Sequence, residues 1–159
     1  SCLVGSEMCI RDSDRLLDFV SHRGSRARYI TSVCTGSVLL GAAGLLKGYK
    51  AASYWGTLDM LPVFGATPVN ERVVKDRNRI TGGGITAGLD FGLELAAELR
   101  GEKRARLQQL IMEYDPKPPF DSGSLDTASA ETVAHARELL GPSLLAIRAE
   151  AERAARRRG

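Results

Sequence analysis

The residue best suited to covalent chemistry in this 159-residue chain is Cys34, in the stretch Ser32-Val33-Cys34-Thr35-Gly36-Ser37. Residues 29–33 alternate β-branched and small side chains, which is typical of a buried strand. The residues after Cys34 place apolar side chains at helical spacing as far as Leu46, and Gly48 lies just past the predicted end. A cysteine at such a turn meets a helix N-terminus, where the first amides and the helix dipole favour a thiolate. The alternative is a small apolar core residue, the commoner role of a lone cysteine, and position alone favours neither.

A second candidate loop is the glycine-rich turn Gly82-Gly83-Gly84-Ile85-Thr86, which follows a predicted strand and leads into a long amphipathic helix. Three glycines allow backbone amides to approach a ligand or the cysteine closely. The turn matches neither GxxxxGK[ST] nor GxGxxG, so it is neither a phosphate loop nor a dinucleotide fingerprint. A tight strand-to-helix turn capped by Thr86 explains the glycines equally well.

Predicted strands and helices alternate along the chain, which indicates a mostly parallel sheet with helices on both faces. Ligands bind beyond the carboxyl ends of the strands in such sheets, so the Cys34 and glycine loops form one site if their strands are neighbours. We predict strands at residues 29–33, 50–54, 65–69, 72–76 and 79–81. We predict helices at residues 14–24, 38–46, 58–64, 85–99, 102–113 and 129–157, with a possible break at Gly141-Pro142 and a loop at residues 115–124.

The composition, 43% hydrophobic and 26% charged, is that of one globular domain. Much of the net charge of +3 lies in arginines of the last twelve residues, which is more typical of a solvated helix end than of a nucleic-acid-binding tail. No stretch approaches the roughly 20 apolar residues of a membrane span, and charges interrupt any signal-peptide core, so we predict a cytoplasmic protein. Cys2, Cys9 and Cys34 have no metal-site spacing, and their odd number argues against a disulfide framework.

The first 13 residues, SCLVGSEMCIRDS, fit neither a helix nor a strand and begin with serine. They look like a translated sequencing adaptor, and the alternative is a native disordered leader. We therefore predict a non-native leader at residues 1–13 and one partial domain at residues 14–159. Under that interpretation Cys2 and Cys9 carry no biology and the gene is truncated at its 5′ side.

The remaining sequence resembles the ThiJ/PfpI superfamily, of the class I glutamine amidotransferase-like fold, and within it the isonitrile hydratase branch. The resemblance rests on SVCTGSVLLGAAGLLKGYKA, FGATPVNERVVKDRNRITGGGITAGLDFGLELAAEL and LIMEYDPKPPFDSGS, followed by the helical tail. It implies an α/β fold, a three-layer α/β/α flavodoxin-like sandwich, here missing its first strand and helix units.

The resemblance also implies a site in which Cys34 is the nucleophile on a strained elbow and the Thr35 hydroxyl contributes to the reaction. The alternative for Thr35 is a helix-start residue that satisfies a backbone amide. Many relatives carry a histidine before the tryptophan, where this chain has Tyr54-Trp55. The acidic partner of the cysteine would lie upstream, and no residue here maps to it. The candidate substrate-contacting residues are Gly36, Tyr54, Trp55, Gly83 and Gly84, with Phe64 and Ile85 as further pocket walls.

The activity that the resemblance implies is hydration of an isonitrile to an N-substituted formamide, with no metal and no organic cofactor. It further implies a homodimer, for which residues 116–120 are a candidate contact. Two alternatives stay open: another thiol enzyme of the superfamily, and the ligand-sensing domain of an AraC-type regulator. The regulator is disfavoured because only one helical tail follows Ser124.

Overall fold

The structure, a computed structural model, describes residues 14–158, so the predicted leader at residues 1–13 lies outside the described residues. Helices and strands alternate, and the predicted α/β fold is confirmed. The helices are α1 (Asp14–Gly24), α2 (Gly36–Ala42), α3 (Ala87–Arg100), α4 (Glu102–Ile111) and α5 (Ala130–Arg158), with a 3-10 helix at Leu58–Phe64. The strands are β1 (Ile30–Val33), β2 (Lys50–Ala51), β3 (Thr67–Pro68), β4 (Val73–Asp76) and β5 (Arg79–Gly82).

The central element of the larger sheet is β5, which pairs in parallel with β1 and antiparallel with β4. A second, two-stranded sheet is formed by β2 and β3 in parallel. The register of the first pair sets Val33 opposite Gly82. Because parallel strands end at the same edge, the residues that follow β1 and β5 emerge side by side. The prediction that the Cys34 and glycine loops follow neighbouring strands is therefore confirmed.

The chain divides into two compact units, of which the first comprises the residues up to Phe91 and those from Ser143 onward. Its apolar core packs α1, α2, the 3-10 helix and the last part of α5 against one side of the strands. On the opposite side Val33 meets the start of α3, where a Cβ at Gly88 would lie 3.6 Å from Val33 Cγ1. Helices thus cover both faces. The fully buried core side chains include Leu17, Val38, Leu46, Met60, Leu61 and Ile147.

The second unit, Gly92–Pro142, contains the rest of α3, all of α4 and the first part of α5. Ala105 of α4 is buried, and Arg106 forms an ion pair with Glu102 one turn earlier at 2.5 Å. Many large apolar side chains of this unit are exposed, among them Leu110 at 77% and Phe120 at 78%. Within residues 14–158 no helix combines the length and the apolar composition needed to cross a bilayer.

Two predicted elements are too long at their C-terminal ends by three residues or more, because local hydrogen bonds override periodicity. The helix α2 ends at Ala42 rather than at residue 46, since Gly44 adopts a φ of +77°. The amides of Gly44 and Leu45 then bond to the carbonyls of Gly41 (2.8 Å) and Leu40 (3.0 Å), as in a Schellman motif. Strand β2 ends at Ala51 rather than at residue 54, because the hydroxyl of Thr81 takes the next amide.

The possible break at Gly141-Pro142 is absent, and α5 continues through Pro142. A proline inside a helix removes one backbone hydrogen bond and costs about 3 kcal/mol. Ile147, Ala151 and Ala154 of the same helix are fully buried. Their burial offsets that cost and holds the helix on the core after the proline.

We expect Gly41→Ala to lower the free energy of unfolding by about 1–3 kcal/mol through overpacking. A Cβ at Gly41 would lie 2.5 Å from Cδ2 and 2.8 Å from Cγ of the buried Phe64 ring. Gly92→Ala is the matched control, because a Cβ there meets no atom within 4 Å. It should raise stability by about 0.5–1 kcal/mol through helix propensity alone. Urea unfolding of both variants checks this, and equal effects would contradict the packing argument.

Candidate active site

Cys34 follows β1 and precedes α2 with a backbone φ of +61°. This left-handed conformation is uncommon for a residue other than glycine and costs about 1–3 kcal/mol. The residue is 8% exposed, and Cys34 forms no disulfide bond within residues 14–158. The turn therefore has the strained geometry that the sequence predicts for it.

Both ends of the Cys34 residue are held by neighbouring segments. Its N–H lies 2.7 Å from the Gly83 carbonyl and 3.1 Å from the Gly82 carbonyl. Its carbonyl accepts from the Tyr54 N–H at 3.3 Å and from the Ser53 hydroxyl at 3.1 Å. A strained residue persists only where its surroundings over-determine it, and these contacts do so. The glycine turn and the segment after β2 together hold the elbow.

Ser53 and Thr57 form a buried hydroxyl pair, 5% and 0% exposed, with their oxygens 2.9 Å apart. Thr57 Oγ1 also lies 3.1 Å from the Tyr54 carbonyl. At any one time the two hydroxyl protons can form only two of the three bonds, which are to the Cys34 carbonyl, to the Tyr54 carbonyl and between the hydroxyls. No carbonyl is left unsatisfied, because the Thr57 N–H donates to the Tyr54 carbonyl at 2.8 Å and the Tyr54 N–H donates to Cys34. Periodicity does not predict this pair, whose signal in the sequence is two small hydroxyl residues flanking Tyr54-Trp55-Gly56 just after a strand.

The glycine turn reaches the elbow through Gly83, which is buried. The Gly83 N–H donates to the Arg72 carbonyl at 2.8 Å. A Cβ at this position would meet three backbone carbonyls, those of Glu71, Arg72 and Ser53, at 3.4–3.8 Å. These are ordinary van der Waals distances, so lack of space alone does not account for the glycine at this position.

Thr35 occupies the N-cap position of α2 but makes no capping hydrogen bond through its side chain. It is 2% exposed. The alternative in which its hydroxyl satisfies a helix amide is therefore not what the structure shows. Gly36 is the first residue of α2, and a Cβ there would lie 3.3 Å from the Cβ of Ser32, so the tight turn accounts for this glycine.

Tyr54 and Trp55 lie beside the elbow, with ring centroids 5.3 Å apart at 49°. Tyr54 is half-buried, and a Cβ at Gly84 would lie 4.0 Å from its Cδ2. Burial raises the pKa of Tyr54, the nearby charge of Cys34 raises it further, and a hydrogen bond from Trp55 opposes both. The phenol is therefore neutral near pH 7. It can donate a hydrogen bond but is a poor proton acceptor at that pH.

The structure brings most of the predicted site residues together but separates two of the predicted pocket walls. The residues around the elbow are Cys34, Thr35, Gly36, Tyr54, Trp55, Gly83 and Gly84. Phe64 is buried in the core against Gly41, and Ile85 is 69% exposed. No group of three histidine, cysteine or acidic residues suited to a metal ion occurs within residues 14–158.

Comparison with known proteins finds close relatives. The model of the DJ-1/PfpI family matches residues 4–98. The chain is 55% identical over 135 residues to the isonitrile hydratase of Pseudomonas putida. The aligned region covers 85% of the chain and 59% of the hydratase. The chain is also 36% identical over 87 residues to the HTH-type transcriptional regulator GbdR of Pseudomonas aeruginosa. That aligned region covers 54% of the chain and 24% of the regulator.

The fold has a solved counterpart in a ThiJ/PfpI family protein from Pseudomonas syringae. The two structures superpose with a TM-score of 0.88 at 52% identity, over 92% of the chain and 60% of the counterpart. The chain thus spans 59% of the hydratase and 60% of the P. syringae protein. The resemblance seen in the sequence is confirmed, and the chain belongs to the DJ-1/PfpI family.

Proposed function

We propose that the protein carrying this chain hydrates an isonitrile to an N-substituted formamide, with Cys34 as the nucleophile. The observation that carries the proposal is the left-handed Cys34 elbow, held by the glycine turn on one side and by Ser53 and Tyr54 on the other. The 55% identity to an isonitrile hydratase supports the substrate class. A recessed sulfur, 8% exposed as a residue, also suits a slim linear group with a terminal carbon.

The chemistry consists of additions and eliminations. The Cys34 thiolate forms a bond to the terminal carbon of R–N≡C, and a proton delivered to that carbon gives a thioimidate. Water adds to the same carbon, and the nitrogen gains a proton. The tetrahedral adduct then loses its hydroxyl proton and breaks the S–C bond, which releases the formamide and the thiolate. These steps need a reactive thiolate and proton donors.

Thr35 is the second residue of the proposed site. Its hydroxyl is buried beside the nucleophile and does not cap the helix that it begins. We assign it a hydrogen bond to the reacting group, in the role that the family resemblance implies. Gly36, Trp55, Gly83 and Gly84 line the approach to the sulfur in this proposal.

The proposal includes a homodimer and a cytoplasmic location, with neither a metal nor an organic cofactor. Phe120, in the predicted contact at residues 116–120, is 78% exposed and offers an apolar side chain to a second copy. The alternatives are another thiol activity of the family and a ligand-sensing domain. The sensing role draws support from the 36% identity to a transcriptional regulator, although that match covers 24% of the regulator.

We expect Cys34→Ala to lower the turnover of cyclohexyl isocyanide by more than about 1000-fold, because no other group forms the S–C bond. Chromatography of N-cyclohexylformamide measures the rate, and a thermal melt shows that the variant is folded. Normal turnover by this variant would exclude Cys34 as the nucleophile. Wild-type protein that binds the isonitrile without forming formamide would favour the sensing alternative.

We expect Thr35→Val to lower kcat on the order of 100-fold, since one hydrogen-bond donor to the reacting group is lost. Thr35→Ser keeps the hydroxyl and should retain most of the activity, although it lacks the methyl group. The same formamide assay compares them. A loss in Thr35→Ser together with normal turnover in Thr35→Val would show that packing of the methyl group, rather than the hydroxyl, matters here.

A further inference from the structure

The carbonyl of Cys34 lies at the end of a short chain of buried hydroxyl groups. The Ser53 hydroxyl is 3.1 Å from that carbonyl, and the Thr57 hydroxyl is 2.9 Å from the Ser53 hydroxyl. Ser53 is 5% exposed and Thr57 is fully buried. The chain of hydroxyls therefore connects the backbone of the proposed nucleophile to a threonine in the protein interior.

The distances indicate which of the possible hydrogen bonds the two hydroxyl protons form. The Tyr54 carbonyl, 3.1 Å from Thr57 Oγ1, already accepts from the Thr57 N–H at 2.8 Å. The Cys34 carbonyl has a weaker backbone partner, because the Tyr54 N–H lies 3.3 Å away, beyond the usual range of roughly 2.7–3.2 Å. A proton contributes more at the Cys34 carbonyl, so Ser53 donates there and Thr57 donates to Ser53.

The bond from Ser53 fixes the orientation of two residues. A peptide unit is planar, so the carbonyl of Cys34 and the N–H and Cα of Thr35 lie in one plane. On the other side of Cys34, its N–H is bound to the Gly83 carbonyl at 2.7 Å. The φ of +61° between these two contacts persists only while the neighbouring groups hold it. Ser53 thus helps to set the orientation of Thr35 relative to Cys34.

Resting on the proposed function, we propose that Ser53 is a positioning residue for the hydration, and that Thr57 assists it by donating to the Ser53 hydroxyl. Ser53 keeps the sulfur of Cys34 and the side chain of Thr35 in the relative geometry that the addition to the isonitrile carbon needs. Its hydroxyl acts through the Cys34 carbonyl and not on the substrate. Such positioning matters because a displacement of about 1 Å can lower a rate on the order of 100-fold.

Ser53→Ala removes the donor to the Cys34 carbonyl and keeps the glycine turn and the aromatic residues. We expect kcat for cyclohexyl isocyanide to fall on the order of 10-fold to 100-fold, because the sulfur and Thr35 lose their relative orientation. We expect KM to change by less than about threefold, because the residues that line the approach are retained. The formamide assay measures both constants.

The two variants of Thr57 separate its hydroxyl from its methyl group. Thr57→Val keeps the shape but removes the proton that is donated to Ser53, so kcat should fall by about threefold to tenfold. Thr57→Ser keeps the hydroxyl and should retain most of the wild-type kcat. Normal kcat in Thr57→Val together with a loss in Thr57→Ser would overturn the role assigned to the Thr57 hydroxyl.

Ile147→Val is the matched control for stability, since Ile147 is fully buried and the change removes one methyl group and no hydrogen bond. It should lower Tm and leave kcat at the wild-type value. A loss of kcat in Ile147→Val as large as that in Ser53→Ala, at a similar Tm, would show that lowered stability explains both and would overturn the proposal.

Amide hydrogen exchange tests the same contact without a substrate. In Ser53→Ala the N–H groups of Cys34 and Tyr54 should exchange on the order of tenfold faster, relative to the helical N–H of Ala151 in α5. NMR measures the rates in the wild type and in the variant. Unchanged relative rates would show that Ser53 does not hold the elbow.

The outcomes separate this inference from the proposed function. Cys34-dependent turnover with a wild-type kcat in Ser53→Ala overturns the inference alone, as does a raised KM with kcat unchanged. If the wild type forms no formamide, the proposed function fails and the role of Ser53 in that reaction fails with it. Faster exchange in Ser53→Ala would then still support its hold on the elbow.

Discussion

The left-handed backbone conformation of Cys34 is the constraint on which the rest of the site depends. This conformation costs about 1–3 kcal/mol. The compensation comes from β5, because its parallel pairing with β1 delivers the Gly82 and Gly83 carbonyls to the Cys34 N–H. A slip of one residue in that register would move both carbonyls away from the elbow. The sheet therefore fixes where the sulfur lies.

The segment that bonds to the Cys34 carbonyl, Ser53 and Tyr54, is itself held in place by buried hydroxyl groups. Ala52 is hydrogen-bonded through both of its backbone groups. Its N–H donates to Thr81 Oγ1 at 2.8 Å, and its carbonyl accepts from Ser37 Oγ at 2.6 Å. Ser37 and Thr81 are both fully buried. They join α2 and β5 to the segment that continues into Ser53 and Tyr54. Buried polar groups that are fully paired favour a single arrangement, so these bonds fix the position of Tyr54 relative to Cys34.

The sequence predicts the parts of this site that depend on periodicity and on glycine, because both act locally. The strand before Cys34 and the position of the glycine turn follow from such patterns and agree with the structure. Ser53 was not predicted, since a small hydroxyl residue is compatible with almost any environment and its partner is the carbonyl of Cys34, nineteen positions away in the chain. The end of α2 and the helical course of Pro142 depend likewise on packing that periodicity does not contain.

In the proposed reaction, a tyrosine at position 54 differs from a histidine in the protons that it can donate and accept. A histidine titrates near pH 6.5 and can accept a proton, which helps reactions that begin by activating a neutral nucleophile. Isonitrile hydration places the opposite demand on the site, because its carbon and nitrogen must each gain a proton and the leaving group is the thiolate itself. Burial and the charge of Cys34 both keep the Tyr54 phenol protonated. A phenol held neutral in this way is a hydrogen-bond donor and a poor base, which distinguishes it from the histidine that many relatives carry.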